Sequence, residues 1–195
     1  MLYGIVRRGA ILAYKIWYRV SFEGVENIPD PKDGTFVVAC NHRSYADPVL
    51  LSLKIKRPCC FMAKEELFKP PVFRWLIRKL GAFPVVRGSG DMSVITDSVE
   101  RLKEGRNLVI FPEGTRTHDG KVQEFKKTFA ILSKELNIPI VPVVIKGAFE
   151  ALPKGVHYPL KKKVTVEYLP PITADPSVSY SEYADTVKQL IEEKL

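Results

Sequence analysis

Residues 35–53, TFVVACNHRSYADPVLLSL, contain in one stretch the unit from which this chain is built. The run at 35–40 is apolar and rich in β-formers, which predicts a buried strand. The polar run at 41–47 predicts a loop, and a helix is expected from about Tyr45 to Leu53. A strand that passes through a polar loop into a helix is the repeating unit of α/β sheets.

The rest of the chain continues this alternation of strands and helices. A short strand is expected at Val20 to Glu23, a terminal helix from Ser179 to Leu195, and further strands at RPCCFMA, AFPVV, NLVIFP, IPIVPVVI and KVTVEYL, with helical patterns between most of them. We therefore predict an α/β fold: a single domain with a mixed, largely parallel central sheet flanked by helices. A length of 195 residues is enough for one domain with a substantial core.

Residues 1–20, MLYGIVRRGAILAYKIWYRV, predict an amphipathic helix that precedes this domain. Its apolar side chains form one stripe, and four basic residues interrupt any membrane-spanning interpretation: Arg7, Arg8, Lys15 and Arg19. Tryptophan, tyrosine and basic residues suit a helix that lies in a membrane interface. The alternative is an ordinary helix packed on its own domain, and this stretch alone does not decide between the two.

The composition restricts the partners and the compartment. There are 30 basic and 22 acidic residues, a net charge of +8, which favours acidic partners such as an anionic membrane, a phosphorylated substrate, an acidic carrier protein or nucleic acid. Cys40, Cys59 and Cys60 match neither a disulfide framework nor a zinc spacing, so buried thiols in a reducing compartment are expected. Neither a metal site nor a nucleotide-binding loop is indicated, and no cofactor is expected.

The first candidate site lies in NHRSYAD, directly after a predicted strand. If His42 occupies the turn and Asp47 the first helical turn, the carboxylate can orient the imidazole and leave its other nitrogen as a general base. The structural alternative is a helix cap, because Ser-x-x-Asp at 44 to 47 also matches a capping box. A nucleophilic role for Ser44 is disfavoured, since the glycines of a nucleophile elbow are missing. Cys40 is less suitable still, because it lies inside the strand.

The second candidate site is FPEGTR, at 111–116, which also follows a predicted strand. Gly114 permits close approach of the backbone to a ligand, and Arg116 can bind a phosphate with two hydrogen bonds. Glu113 can accept hydrogen bonds from a polyol. The structural alternative is a surface turn with a glutamate–arginine ion pair. Lys64 and Arg87 follow two further predicted strands, so one base and three cations are expected at strand ends, where ligands of such sheets bind.

On these residues the chain resembles the glycerolipid acyltransferases, most closely the lysophosphatidate acyltransferases. NHRSYAD resembles that family's His-x4-Asp block, GAFPVVR its second block, FPEGTR its third and IPIVPVVI its fourth. MAKEELF, which contains Lys64, is also similar to the family. The resemblance spans roughly residues 20 to 170, and four blocks in the same order make it specific.

The resemblance implies that residues 21–195 form an acyltransferase domain. It implies transfer of a fatty acyl group from acyl-CoA or acyl-carrier protein to the sn-2 hydroxyl of lysophosphatidate, giving phosphatidate without an acyl-enzyme. His42 would be the base and Asp47 its support. The implied binding set for the glycerol phosphate is Lys64, Arg87, Glu113, Gly114, Thr115 and Arg116.

The resemblance also favours the membrane-associating interpretation of residues 1–20. It implies a peripheral or monotopic enzyme on the cytoplasmic face of a membrane, with an anionic membrane surface as a partner. Thr128 departs from the family pattern, which commonly has glycine there, and this bears on acceptor identity. Two alternatives remain open: the same chemistry on another lysolipid, such as an ornithine-type lipid, or a non-catalytic basic module that binds lipid. Nucleic-acid binding is disfavoured, because the aromatic residues mostly occupy core-like positions.

Overall fold

The computed structural model describes residues 19–85, 91–151, 160 and 162–195. Within them one sheet contains seven strands: β1 (Arg19–Glu23), β2 (Val37–Cys40), β3 (Cys59–Lys64), β4 (Ala82–Val85), β5 (Asn107–Ile110), β6 (Ile140–Lys146) and β7 (Lys163–Tyr168). The α-helices of the described residues are α1 (Asp47–Ser52), α2 (Pro71–Lys79), α3 (Asp91–Lys103), α4 (Thr128–Leu136), α5 (Ala148–Ala151) and α6 (Tyr180–Glu192). Short 3-10 helices occur at Val25–Asn27, Pro31–Asp33 and Glu65–Phe68.

The sheet is mixed and largely parallel, which confirms the predicted fold class. Its strand order is β1-β7-β6-β2-β5-β3-β4. Five adjacent strands run parallel to one another: β6, β2, β5, β3 and β4. The strand β7 runs antiparallel to β6. The carboxyl ends of these five strands therefore lie at one edge of the sheet, which we call the site edge.

Helices cover both faces of the sheet, because successive strand residues point to opposite sides. In β2, Val38 and Cys40 join a buried cluster that includes α1, whereas Val37 and Ala39 join a second cluster that includes α3, α4 and α6. All four residues are fully buried. A central strand that is apolar on both faces is expected for a parallel sheet covered on both sides.

The chain begins its described course in β1, which corrects one predicted boundary. Arg19 and Val20, which we assigned to the helix 1–20, pair in parallel with Lys163 and Val164 of β7. The β-branched Val20 packs against the core, so strand pairing prevails at these two positions. The predicted amphipathic helix otherwise lies outside the described residues. Among those that are described, no helix combines the length and the apolar character needed to cross a membrane.

One glycine is required by the backbone where α2 turns into β4. Gly81 has φ of +94°, and a Cβ atom built there would lie 2.2 Å from the carbonyl oxygen of Cys59 in β3. Any side chain would collide with the neighbouring strand. Gly81 therefore permits the close β3–β4 pairing that begins with Phe61 opposite Ala82.

Candidate active site

The loop that contains His42 is anchored by the residue before it. Asn41 follows the last residue of β2 and is fully buried. Its side chain donates from Nδ2 to the carbonyl of Ile145 over 2.9 Å and accepts from the Ile145 amide through Oδ1 over 2.8 Å. The asparagine side chain thus bonds to β6 like a further strand residue. This double hydrogen bond fixes the point at which the chain leaves the sheet toward His42.

His42 and Asp47 are in contact, as the sequence predicted. The distance from His42 Nδ1 to Asp47 Oδ2 is 2.9 Å. The Asp47 side chain is fully buried, whereas 19% of the His42 side chain is exposed. A buried carboxylate that accepts from Nδ1–H leaves a lone pair on Nε2, and no partner for Nε2 occurs among the described residues. The geometry therefore allows Nε2 to act as a base toward a ligand.

The Asp47 carboxylate also holds the turn that precedes α1. The same Oδ2 atom accepts from the amides of Arg43, over 2.6 Å, and Ser44, over 2.7 Å. The proposed role of Ser44 as the N-cap is wrong: Ala46 is the N-cap, and Ser44 Oγ accepts from the Ala46 amide instead. One oxygen therefore orients the imidazole and closes the turn, whereas the catalytic role of the pair stays a prediction.

The second loop clamps the backbone of His42 from both sides. Glu113 Oε1 accepts from the His42 amide over 2.7 Å, and the Thr117 amide donates to the His42 carbonyl over 3.0 Å. Glu113 Oε2 accepts from the Gln123 amide over 3.0 Å. Both oxygens of Glu113 are thus engaged by backbone, and burial raises the pKa of this carboxyl. Glu113 therefore holds the backbone of His42 in place, and its predicted contact with a polyol stays a prediction.

The His42 ring packs against the residue that begins the second loop. Its centroid lies 4.1 Å from that of Phe111, with the rings stacked at 23°. Together with the Asp47 bond, this contact leaves the imidazole one orientation. The ring is consequently positioned by groups from α1 and from the loop after β5.

Arg116 lies beside this imidazole-bearing loop and is held by an aromatic ring. Its Cζ atom is 3.5 Å from the ring centroid of Tyr45, which is 63% exposed. Arg116 Nη1 is buried and has no hydrogen-bond partner among the described residues. A buried guanidinium nitrogen without an acceptor is costly, and an anionic oxygen would satisfy it.

Three of the four remaining predicted binding residues, Gly114, Thr115 and Lys64, lie at the ends of β5 and β3 on the site edge. Gly114 has φ of +68°, and a Cβ there would lie 3.3 Å from Lys126 Cε, so this loop brings a further lysine close. Thr115 is exposed. Lys64 is exposed at the end of β3, a strand that pairs with β5 at this edge. Arg87 lies outside the described residues.

The two alternative nucleophiles are unsuitable. Ser44 is fully buried, and its hydroxyl is bonded to the Ala46 amide. Cys40 is fully buried, and burial, followed by the nearby Asp47 and Glu113 carboxylates, raises the pKa of its thiol well above the ordinary value of 9.0. A protonated thiol inside a strand cannot attack a thioester.

A structured α/β sheet with this histidine–aspartate loop and this arginine-bearing loop at one edge identifies the class of protein. The chain belongs to the acyltransferase family, whose family model matches residues 19–146. The resemblance drawn from the motifs is confirmed.

Several relatives of the chain carry names that specify a lysolipid acceptor. The crystal structure of the 1-acyl-sn-glycerophosphate acyltransferase PlsC from Thermotoga maritima matches with a TM-score of 0.83 and 30% identity, over 98% of this chain and 78% of that one. The chloroplast 1-acyl-sn-glycerol-3-phosphate acyltransferase of Arabidopsis thaliana is 29% identical over 77% of this chain and 42% of its own length. The lyso-ornithine lipid O-acyltransferase of Pseudomonas aeruginosa is 35% identical over 58% of this chain and 43% of its own length. The chain thus spans about half the length of the curated relatives it matches.

Proposed function

We propose that this chain transfers a fatty acyl group from acyl-CoA or acyl-carrier protein to the sn-2 hydroxyl of lysophosphatidate, giving phosphatidate. The observation that carries the proposal is one connected arrangement. His42 is oriented by Asp47 over 2.9 Å, and its backbone is bonded to the loop that presents Arg116. A base for a hydroxyl and a cation for a phosphate are thereby fixed relative to each other.

The proposed reaction is direct. His42 Nε2 takes the hydroxyl proton while the acceptor oxygen attacks the thioester carbonyl carbon. The tetrahedral adduct collapses with cleavage of the carbon–sulfur bond, and the imidazolium returns the proton to the departing thiolate. The products are an ester and a free thiol, so no residue is acylated. Asp47 stabilises the imidazolium formed in the first step.

The phosphate of the acceptor would be bound by Arg116, whose buried Nη1 lacks an acceptor among the described residues. Glu113 would keep the two loops in register through the bonds from the His42 and Gln123 amides, and its remaining lone pairs could accept from the acceptor's glycerol. Lys64, Arg87, Gly114 and Thr115 remain the proposed periphery of this anion site.

We also place the enzyme peripherally on the cytoplasmic face of a membrane. Support comes from the three cysteines, all free and buried, which suit a reducing compartment, and from the net charge of +8, which suits an anionic surface and an acidic acyl donor. A non-catalytic lipid-binding module is disfavoured, because lipid binding does not require a buried carboxylate that is hydrogen-bonded to a partly exposed imidazole.

The acceptor is tested with the native chain in a panel assay with oleoyl-CoA. The acceptors are lysophosphatidate, lysophosphatidylcholine and a lyso-ornithine lipid. Only the first carries a phosphomonoester. Preference for lysophosphatidate that is lost in Arg116→Gln supports the proposal. Preference for the lyso-ornithine lipid, for which the Pseudomonas relative is named, would replace it with the alternative acceptor.

A further inference from the structure

The helix α2, which precedes the outermost strand β4, presents apolar side chains to solvent. None of its residues is buried, although it contains five large apolar side chains. The exposed fractions are 79% for Val72, 43% for Phe73 and 52% for Trp75. Val72 and Trp75 are three positions apart and so share one face of the helix, with Phe73 exposed beside Val72; large apolar side chains this exposed usually mark an interaction surface.

Every charged residue of the segment 69–79 is basic. Lys69, Arg74, Arg78 and Lys79 lie within residues 69–79, and no acidic residue does. None of the four forms an ion pair within the described part of the chain. The nearest acidic residues along the chain are Glu65 and Glu66, in the 3-10 turn before the helix. We call Val72, Phe73 and Trp75, with these four cations, the α2 surface.

The α2 surface lies close to the candidate active site along the sheet. Lys64 ends β3 at the site edge, and α2 begins at Pro71 after a single 3-10 turn. The helix then returns to β4, which begins at Ala82 and is the outermost strand. The exposed apolar residues occupy the first half of the helix and are therefore near the site edge.

We propose that the α2 surface docks on an anionic lipid bilayer, with Val72, Phe73 and Trp75 in the interface and the four cations on lipid phosphates. Tryptophan flanked by arginine and lysine on a short amphipathic helix has the composition of a helix that lies in the bilayer interface. The charge of the surface complements an anionic leaflet. This contact would hold the site edge against the bilayer from which a lysolipid acceptor is drawn, and in that respect it rests on the proposed function.

The test uses the full chain with Trp17→Phe. The chain has two tryptophans, so this variant reports fluorescence from Trp75 alone. Vesicles are equimolar phosphatidylglycerol and phosphatidylcholine, with or without dibrominated acyl chains, and pelleting confirms that the protein is bound. We expect the bromines to lower Trp75 fluorescence by about twofold. Bound protein whose Trp75 fluorescence is unchanged by the bromines would overturn the proposal.

The other occupants of the surface give different results. Shielding of Trp75 from iodide without vesicles, lost on deletion of residues 1–18, would show that the chain's own N-terminal segment covers it. Shielding that grows with protein concentration would show a second copy. A response to acyl-carrier protein but not to vesicles would show a protein partner. Each of these outcomes contradicts lipid docking.

A matched pair of variants separates this inference from the proposed function. Val72→Glu should lower transfer to lysophosphatidate in anionic vesicles by about tenfold. It should keep native activity toward a short-chain, water-soluble lysophosphatidate. Val25→Glu is the control, since Val25 is 37% exposed beyond β1, at the opposite edge of the sheet. Equal loss in both variants would contradict α2 docking, whereas inactivity of the native chain on both acceptors would instead remove the proposed function.

Discussion

Replacement of Asp47 by asparagine separates the charge of this carboxylate from its hydrogen bonds. In the native chain Oδ2 accepts from His42 Nδ1 and from the Arg43 and Ser44 amides, whereas Oδ1 is buried without a partner among the described residues. The two backbone donors can face only an acceptor. They will therefore hold the side-chain amide oxygen of the introduced asparagine in the Oδ2 position, and the imidazole will keep its tautomer with a free Nε2.

The expected loss of activity then comes only from the missing attraction between the carboxylate and the imidazolium. An imidazolium and a carboxylate whose charge centres are ~4 Å apart interact by about 4 kcal/mol at an effective dielectric constant of about 20. Because each 1.36 kcal/mol is about tenfold in rate, kcat should fall by up to about 10³. The amide NH2 group would occupy the unpartnered Oδ1 position, which should cost about 1–3 kcal/mol in the free energy of unfolding.

The assay measures kcat for transfer from oleoyl-CoA to lysophosphatidate, together with urea unfolding of each variant. Ser44→Ala is the control in the same turn and should keep native activity, because within the described part of the chain the Ser44 hydroxyl bonds only to the Ala46 amide. A kcat for Asp47→Asn within about threefold of native, in a folded protein, would refute the electrostatic role. Loss of activity in Ser44→Ala would restore the nucleophilic serine.

Three further perturbations test the rest of the site and fold. Tyr45→Ala should raise KM for lysophosphatidate by about two- to fivefold through loss of the ring under Arg116, whereas Tyr45→Phe should not; equal KM values in acceptor titrations would contradict this role. Gly81→Ala should lower the free energy of unfolding in urea by about 1–3 kcal/mol more than Gly34→Ala. Both glycines have positive φ, but only at Gly81 would the Cβ meet backbone; equal losses would contradict the steric account. Burial raises the pKa of Glu113 above 4.5, so the folded chain binds its proton more tightly than the unfolded chain, and this group's contribution to the free energy of unfolding should fall as pH rises from 4.5 through the folded pKa. Glu113→Gln should abolish that component of the pH profile, and a profile unchanged by the variant would contradict it.

Predictions from sequence succeeded where one local rule dominated. The apolar run at 35–40 gave a strand at Val37–Cys40, and the terminal helix expected from Ser179 is α6, with Ser179 as its N-cap. The His42–Asp47 contact followed from the turn between them. These features depend on neighbours within a few residues, so the local pattern contains the needed information.

Predictions missed what depends on contacts between distant segments. Asn41 bonds to β6 across 104 positions, and Glu113 reaches the His42 amide across 71. A glutamate in a sequence can accept hydrogen bonds from a ligand or from the backbone. Only the approach of the two loops in the folded chain shows which backbone donors it meets. The signal for Asn41 was a polar residue at the end of an apolar strand, and for Tyr45 an aromatic residue within a polar loop.

Two element ends also differ from the prediction. Ser44 is a strong N-cap residue by type, yet its hydroxyl accepts from the Ala46 amide and the helix begins three positions later. Arg19 and Val20 fit the helical stripe of residues 1–20, yet pairing with β7 places them in a strand. At Arg19 and Val20 a strand distant in the chain overrides the helical pattern, whereas at Ser44 the deciding contacts lie within the same turn.

If His42 is the base for a direct acyl transfer, its removal must stop turnover without unfolding the domain. Phosphatidate formation from oleoyl-CoA and lysophosphatidate is measured for the native chain and for His42→Ala, each confirmed as folded. We expect phosphatidate from the native chain and a loss of about 10²–10⁴ in rate in the variant. A folded His42→Ala protein with native activity would contradict it.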